Sequence, residues 1–282
     1  MTSPYTSAPP SYSAVGAPKG YSAIPQDEQH GQSHATQGPS QPFDYDPNQP
    51  RTEGDAESDD FKYGVTVDQC DQEIRIQFLK KVYSVLFAQI LATTGVAAMM
   101  TTAGVQAWVQ QNQWAFIVPI FGSLVTMGFL FWKRHSHPLN LILLGLFTVL
   151  EASSLGTVVA YVDQQVVLQA LLLTTAVFLG LTLFTLQTRY DLSGLGPWLF
   201  GGLLFLVGAG FIQLFLPFNH AVDMAMASAG VLIFSGYIAY DTQMIQRRLS
   251  PDEWVMAVLS LYLDSINLFL NILRLLNGNR DD

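Results

Sequence analysis

The sequence predicts an all-α membrane protein, a bundle of seven transmembrane helices preceded by a disordered tail. Three observations predict it. Half of the 282 residues are apolar and only 12% are charged, well below the roughly 25% typical of globular chains. From Val82 to Trp132 there is no Asp, Glu, Lys or Arg, a run too long for one membrane crossing and about right for two. Five more apolar stretches follow, each near the ~20 residues that a helix needs to cross ~30 Å of hydrocarbon.

Residues 1–60 contain nine of the fourteen prolines, two basic side chains (Lys19, Arg51) and nine acidic ones. They show neither helical nor alternating apolar periodicity, so a disordered, Pro-rich tail is expected here. Of the formal charge of -9, this tail carries -7 (two basic against nine acidic) and the rest of the chain -2 (11 basic against 13 acidic). No basic face remains for nucleic acid, and no nucleic-acid partner is expected. No basic n-region with a short apolar core precedes the spans, so the first span is expected to act as signal anchor. Pro9, Pro10, Ser11 and Tyr12 spell PPSY, the PPxY pattern that WW domains read through a polyproline II backbone. Chance occurrence in a tail rich in Pro and Tyr is the alternative. The single cysteine, Cys70, excludes an intramolecular disulfide and any multi-cysteine metal site.

Hydropathy predicts spans near 82–103 and 114–132, split by the polar VQQNQ, then near 139–161, 166–187, 197–217, 224–245 and 254–276. Gly and Pro interrupt several of them (Pro119, Gly201, Gly202, Gly208, Gly210), which buried helices in lipid tolerate and close packing favours. Gln89 and Gln213 lie within spans and are expected to bond between helices. Lys and Arg fall before the first span (Arg75, Lys80, Lys81) and in every second loop after it (Lys133, Arg134; Arg189; Arg247, Arg248). That alternation predicts a cytosolic amino terminus. Arg274 and Arg280 conflict with it if the seventh span crosses fully, so either that helix is re-entrant with a cytosolic carboxyl end, or the neighbouring Asp281 and Asp282 blunt the rule.

The functional site is sought where polarity is expensive. A carboxylate at membrane depth costs roughly 3 kcal/mol or more, so it persists only when paired, hydrated or used. The sixth and seventh spans each carry one, Asp241 and Asp264, on adjacent helices of a hairpin. Both are expected at depths that a hydrogen bond or one water bridges. Ser260, Asn267, Asn271 and Arg274 recur around Asp264 at three- and four-residue steps, which makes one face of the last helix polar. Two carboxyls held together in low dielectric resist double ionisation, so the pair shares a proton that belongs to neither residue alone. When ionised, the pair can hold a Ca²⁺ transiently, with water, Asn267 or backbone oxygens completing six or more ligands. Glu151, near the middle of the third span, is the other intramembrane acid. It lines an ion path or serves as a hydrogen-bonded structural acid.

The segments YIAYDTQMI and SLYLDSINLFLNILRLL resemble the signatures of the Bax inhibitor-one family, also called the transmembrane BAX inhibitor motif or Lifeguard family. The resemblance covers roughly residues 75–278, and the Pro- and Tyr-rich tail is similar to that of the Lifeguard branch. It implies a seven-helix fold with the last helix central, and a pH-sensitive calcium leak across an endomembrane such as endoplasmic reticulum, Golgi or vacuole. It implies that Asp241 and Asp264 form the proton-sharing pair, and that Arg134, in FWKR, latches onto Asp241 as part of the gate. Suppression of cell death, through partners that regulate it, is implied as well. Beyond the bilayer and Ca²⁺ as transported ion, no cofactor is expected, and the chain is not expected to be an enzyme.

Three rivals stand beside this reading. An intramembrane aspartyl protease also pairs two aspartates on consecutive helices, but LYLD replaces its GxGD and no PAL motif follows. A non-conducting scaffold would use the aspartates only to fix packing. A secondary transporter would show an inverted repeat, and none is evident.

Overall fold

The structure, a computed structural model, describes residues 66–278 apart from 113, 217 and 218. Pro9, Pro10 and Tyr12 of the PPSY segment lie outside the described residues, as do the expected tail and Arg280. Among the described residues the chain is helical and has no strand. Seven helices are long and apolar enough to cross a membrane: α1 (Gln72–Met100), α3 (Trp114–Lys133), α4 (Leu139–Val159), α5 (Gln164–Gln187), α6 (Gly196–Gln213), α7 (His220–Arg247) and α8 (Trp254–Gly278). A short helix, α2 (Ala103–Gln111), follows α1 in what the sequence presents as a loop.

Local chemistry sets the ends. Asp163 accepts from the Gln165 N–H at 2.7 Å to start α5, and Asn219 accepts from the Val222 N–H at 2.9 Å to start α7, each satisfying a donor that the first turn leaves open. Asp223 then sits in the first turn of α7, where the helix dipole favours an acid. Pro197 enters α6 at its first turn, where its missing N–H costs nothing.

The core is organised by α8. In its apolar window 67% of the residues are buried, against 11 to 44% in the other six. It packs on α1, α4, α5 and α7, and Tyr262, Leu261 and Leu268 on it are fully buried. Side chains such as Phe87, Leu172 and Leu204 on the outer helices are more than half exposed, as lipid-facing residues are. The helix ends bearing Lys80, Lys81, Arg189 and Arg247, here the basic end, are tied together. The Val67 N–H donates to Leu249 O at 2.9 Å, and Lys81 Nζ lies 4.0 Å from the centre of the Trp254 ring, a cation–π contact.

Candidate functional site

The hairpin of α7 and α8 builds the site. Because the two helices run antiparallel, Asp241, six residues before the end of α7, comes level with Asp264, ten residues into α8. The two carboxyl groups lie within hydrogen-bonding reach of each other, and the Ser260 hydroxyl, one turn before Asp264, is within reach of Asp241. Asp264 is 6% exposed, and its Oδ2 has no hydrogen-bond partner among the described residues. Two charged carboxylates in such contact would repel strongly with little water to screen them. The arrangement suits a pair that holds one proton between them.

Polarity continues along the same face of α8. Asn267 and Asn271 donate their side-chain amides to Leu263 O and Asn267 O, each at 2.8 Å, which turns their carbonyl oxygens away from their own helix. Asn271 packs against the bare backbone of Gly230 on α7, where any β-carbon would overlap its amide. A cleft of about 220 Å³ opens between α6, α7 and α8, with Gln213, Asn267, Asn271 and Arg274 on its polar wall. At the end opposite the basic one, Arg274 is fastened to Asp223: its Nε donates to Oδ2 at 3.0 Å, and its Nη2 donates to Oδ1 and to Gln213 Oε1, the latter at 2.8 Å. Gly278 lies against Met224 and His220, so α8 runs the length of α7 as one unbroken helix. The acid paired with Arg274 is Asp223; Asp281 and Asp282, the expected ones, lie outside the described residues.

Arg134 stands elsewhere. It follows the end of α3, its Nη2 lies 3.8 Å from Glu253 Oε1 just before α8, and its Nε contacts His135 at 3.0 Å. The expected latch onto Asp241 is not formed in this arrangement, because the nearer acid at the basic end is Glu253. Glu151 lies on the other side of α8, within reach of the Ser123 hydroxyl of α3. It belongs to a second polar seam, where Gln89 donates to Thr148 at 2.6 Å and the Thr93 and Tyr262 hydroxyls are 2.7 Å apart. Gln89 and Gln213 do bond between helices, as their positions predict. Asp223, Ser123 and Tyr262 were not singled out by sequence. An acid at a span boundary and hydroxyls on apolar helices carry too little signal alone, although Asp223 could have been found by seeking a partner for Arg274. Among the described residues no cluster of three or more His, Cys, Asp or Glu side chains gathers. A cation at the carboxyl pair would take most of its ligands from neutral oxygens.

Comparison with known proteins agrees with this architecture. The family model described as inhibitor of apoptosis-promoting Bax1 matches residues 75–281. The chain is 44% identical over 236 residues to protein lifeguard 4 of Mus musculus, covering 83% of this chain and 98% of that one. It is 40% identical over 260 residues to Bax inhibitor 1 of Schizosaccharomyces pombe, covering 92% and 96%. To the Golgi anti-apoptotic protein of Vaccinia virus (strain Lister) it is 42% identical over 219 residues, covering 77% and 92%. A match across nearly the whole helical region, and across most of each relative, makes this chain a member of the Bax inhibitor and Lifeguard family.

Proposed function

We propose that this chain is a pH-sensitive calcium leak of an intracellular membrane that restrains cell death, with its amino terminus in the cytosol. The observation that carries the reading is the contact between Asp241 and Asp264 inside the hairpin, at the head of a polar face that continues through Asn267 and Asn271 to Arg274. Carboxyls kept at that depth are used or paired, and oxygen is the ligand atom that calcium prefers. The relatives named for anti-apoptotic action and for the Golgi support the cellular part of the reading, and no reaction is assigned to the chain.

In this mechanism calcium is cargo, and the proton is the signal. With the pair ionised, Asp241 attracts Arg134, and the latch between α3 and α7 closes the basic end. Protonation of the pair removes that attraction, and Arg134 moves to Glu253, the partner it has here. Leak therefore rises as the cytosolic pH falls. Glu151, in the seam on the far side of α8, is assigned to the ion path as a flanking acid.

Calcium release from proteoliposomes across a pH series tests the reading. Wild type leaks more at acidic than at alkaline pH, Asp241→Asn leaks at every pH with the pH response lost, and Asp264→Asn shifts that response. An Asp241→Asn protein that keeps the wild-type pH response overturns the gate. A preparation that is ion-tight at every pH, while still protecting cells, favours a scaffold.

A further inference from the structure

Three buried threonines of α5 and α7 decline the bond that threonine makes by default. A helical hydroxyl can donate to the carbonyl four residues back. Thr93, Thr148, Thr157, Thr174 and Ser265 all do so, at 2.7 to 2.9 Å. Thr182 and Thr185 of α5 and Thr242 of α7 do not. They are 6%, 0% and 0% exposed, and their hydroxyl oxygens have no hydrogen-bond partner among the described residues. The Tyr83 hydroxyl of α1 and Oε1 of Gln246 are orphaned in the same way.

Three of these atoms meet, and the other two lie one turn away on the same helices. The Tyr83 hydroxyl is close enough to those of Thr182 and Thr242 to interact with both. Thr185 lies one turn beyond Thr182. Gln246 lies one turn beyond Thr242, and its amide nitrogen reaches across to Leu186 O of α5 at 3.5 Å. Left unpaired in a buried site, each would cost roughly 1–3 kcal/mol. Their chemistry selects what satisfies them. Tyr83, Thr182 and Thr242 have only their own three hydrogens to share, which leaves lone pairs among them without donors, while the Thr185 hydrogen needs an acceptor and the Gln246 amide oxygen a donor. A metal cation supplies neither a donor nor an acceptor. Water supplies both, and a polar enclosure with several partners is where buried water resides.

We propose that Tyr83, Thr182, Thr185, Thr242 and Gln246 enclose an internal water site between α1, α5 and α7, and that this water carries protons from the basic end to Asp241. Thr242 follows Asp241 on α7 with its side chain about 100° further round the helix, and Gln246 lies in the last turn of α7. The titratable groups around Asp241 are Asp264 from α8, Tyr237 and Tyr240 on its own helix, and Tyr83 across Thr242. The Arg247 guanidinium is occupied with Thr188 O at 3.2 Å. The water site stands on the orphaned atoms alone, whereas the proton route rests on the gate described above.

Hydroxyl-radical labelling by brief X-ray irradiation of the full chain in liposomes, read by mass spectrometry at Tyr83, tests the site, because radicals formed from trapped water mark the side chains beside it. Wild-type Tyr83 is labelled, and a Thr182→Val, Thr185→Val, Thr242→Val protein loses most of that label. Equal labelling of the two proteins, or none in wild type, overturns the site. Should the triple variant fold poorly, Thr242→Val alone decides by the same label: loss of most of the Tyr83 label supports bound water, and an unchanged label overturns the site. Calcium release after a rapid pH drop tests the route. Thr242→Val responds severalfold more slowly than wild type and reaches the same final flux. An unchanged rate with the label lost overturns the route and leaves the site standing. A wild type without flux at any pH overturns both gate and route, and the label still reports on the water.

Discussion

Gly230 marks the closest approach of the last two helices, because Asn271 occupies the volume that a side chain there would need. Two effects of opposite sign compete in Gly230→Ala. Helix propensity favours Ala by about 1 kcal/mol, while an extra methyl forced into a packed contact costs about 1–3 kcal/mol. The β-carbon would overlap the Asn271 amide itself, so the steric cost wins, and thermal unfolding in detergent should show a net loss of about 1–2 kcal/mol. Adding Asn271→Ala should restore most of it by clearing the overlap. A single variant as stable as wild type would show that the hairpin has room at this level. Asp241 and Asp264 were legible as residues for a reason of magnitude: no surface or lipid-facing role repays a carboxylate at that depth. The hydroxyls of Thr182, Thr185 and Thr242 were not, since Thr on a helix usually satisfies itself, and only coordinates reveal that these do not.

Elements were legible wherever apolar length alone decides them. The last span, expected near 254–276, is α8 at Trp254–Gly278, and the second, expected near 114–132, is α3 at Trp114–Lys133. The first begins ten residues earlier than hydropathy suggests, because a helix continues past the apolar run when Arg75, Lys80 and Lys81 can extend into polar surroundings. The nine-residue α2 is too short for its periodicity to stand out from a loop. Pairing between elements is where sequence gave least. Arg274 conflicted with the charge pattern until its partner on α7 was visible. Arg274→Met would strand Asp223 beside Gln213. With side chains 39% and 23% exposed, the loss should fall between exposed-pair and buried-pair values, on the order of 1–2 kcal/mol. Asp223→Leu added to Arg274→Met should recover stability, since an apolar pair of similar volume often replaces an ion pair without loss. Additive losses in unfolding experiments would mean that the two side chains act independently.

At the scale of the whole molecule, the bundle carries most of its positive charge at one end, with Arg274 the exception, and the proposed cytosolic amino terminus rests on the rule that basic ends stay in the cytosol. The fold supplies the second premise. The seven long helices follow one another with α8 running antiparallel along α7 to His220 and Met224, so the loops alternate between two faces and the start of α1 shares its face with Leu249 and Trp254. A native reporter exists, because Cys70 is the only cysteine and stands just before Gln72, the first residue of α1. It is partly exposed, with its thiol 3.5 Å from Thr66 O, so labelling is slow rather than blocked. In sealed vesicles whose cytosolic face points outward, a membrane-impermeant maleimide should modify Cys70 without detergent. A cysteine placed at Asp163, between α4 and α5, in a Cys70→Ser background should react only after the membrane is opened. Modification of both from outside would mean that the helices between them do not cross as an odd number of spans. The reverse pattern would put the basic end, and with it the carboxyl pair nearest that end, on the lumenal side, where cytosolic acid could not reach the gate directly.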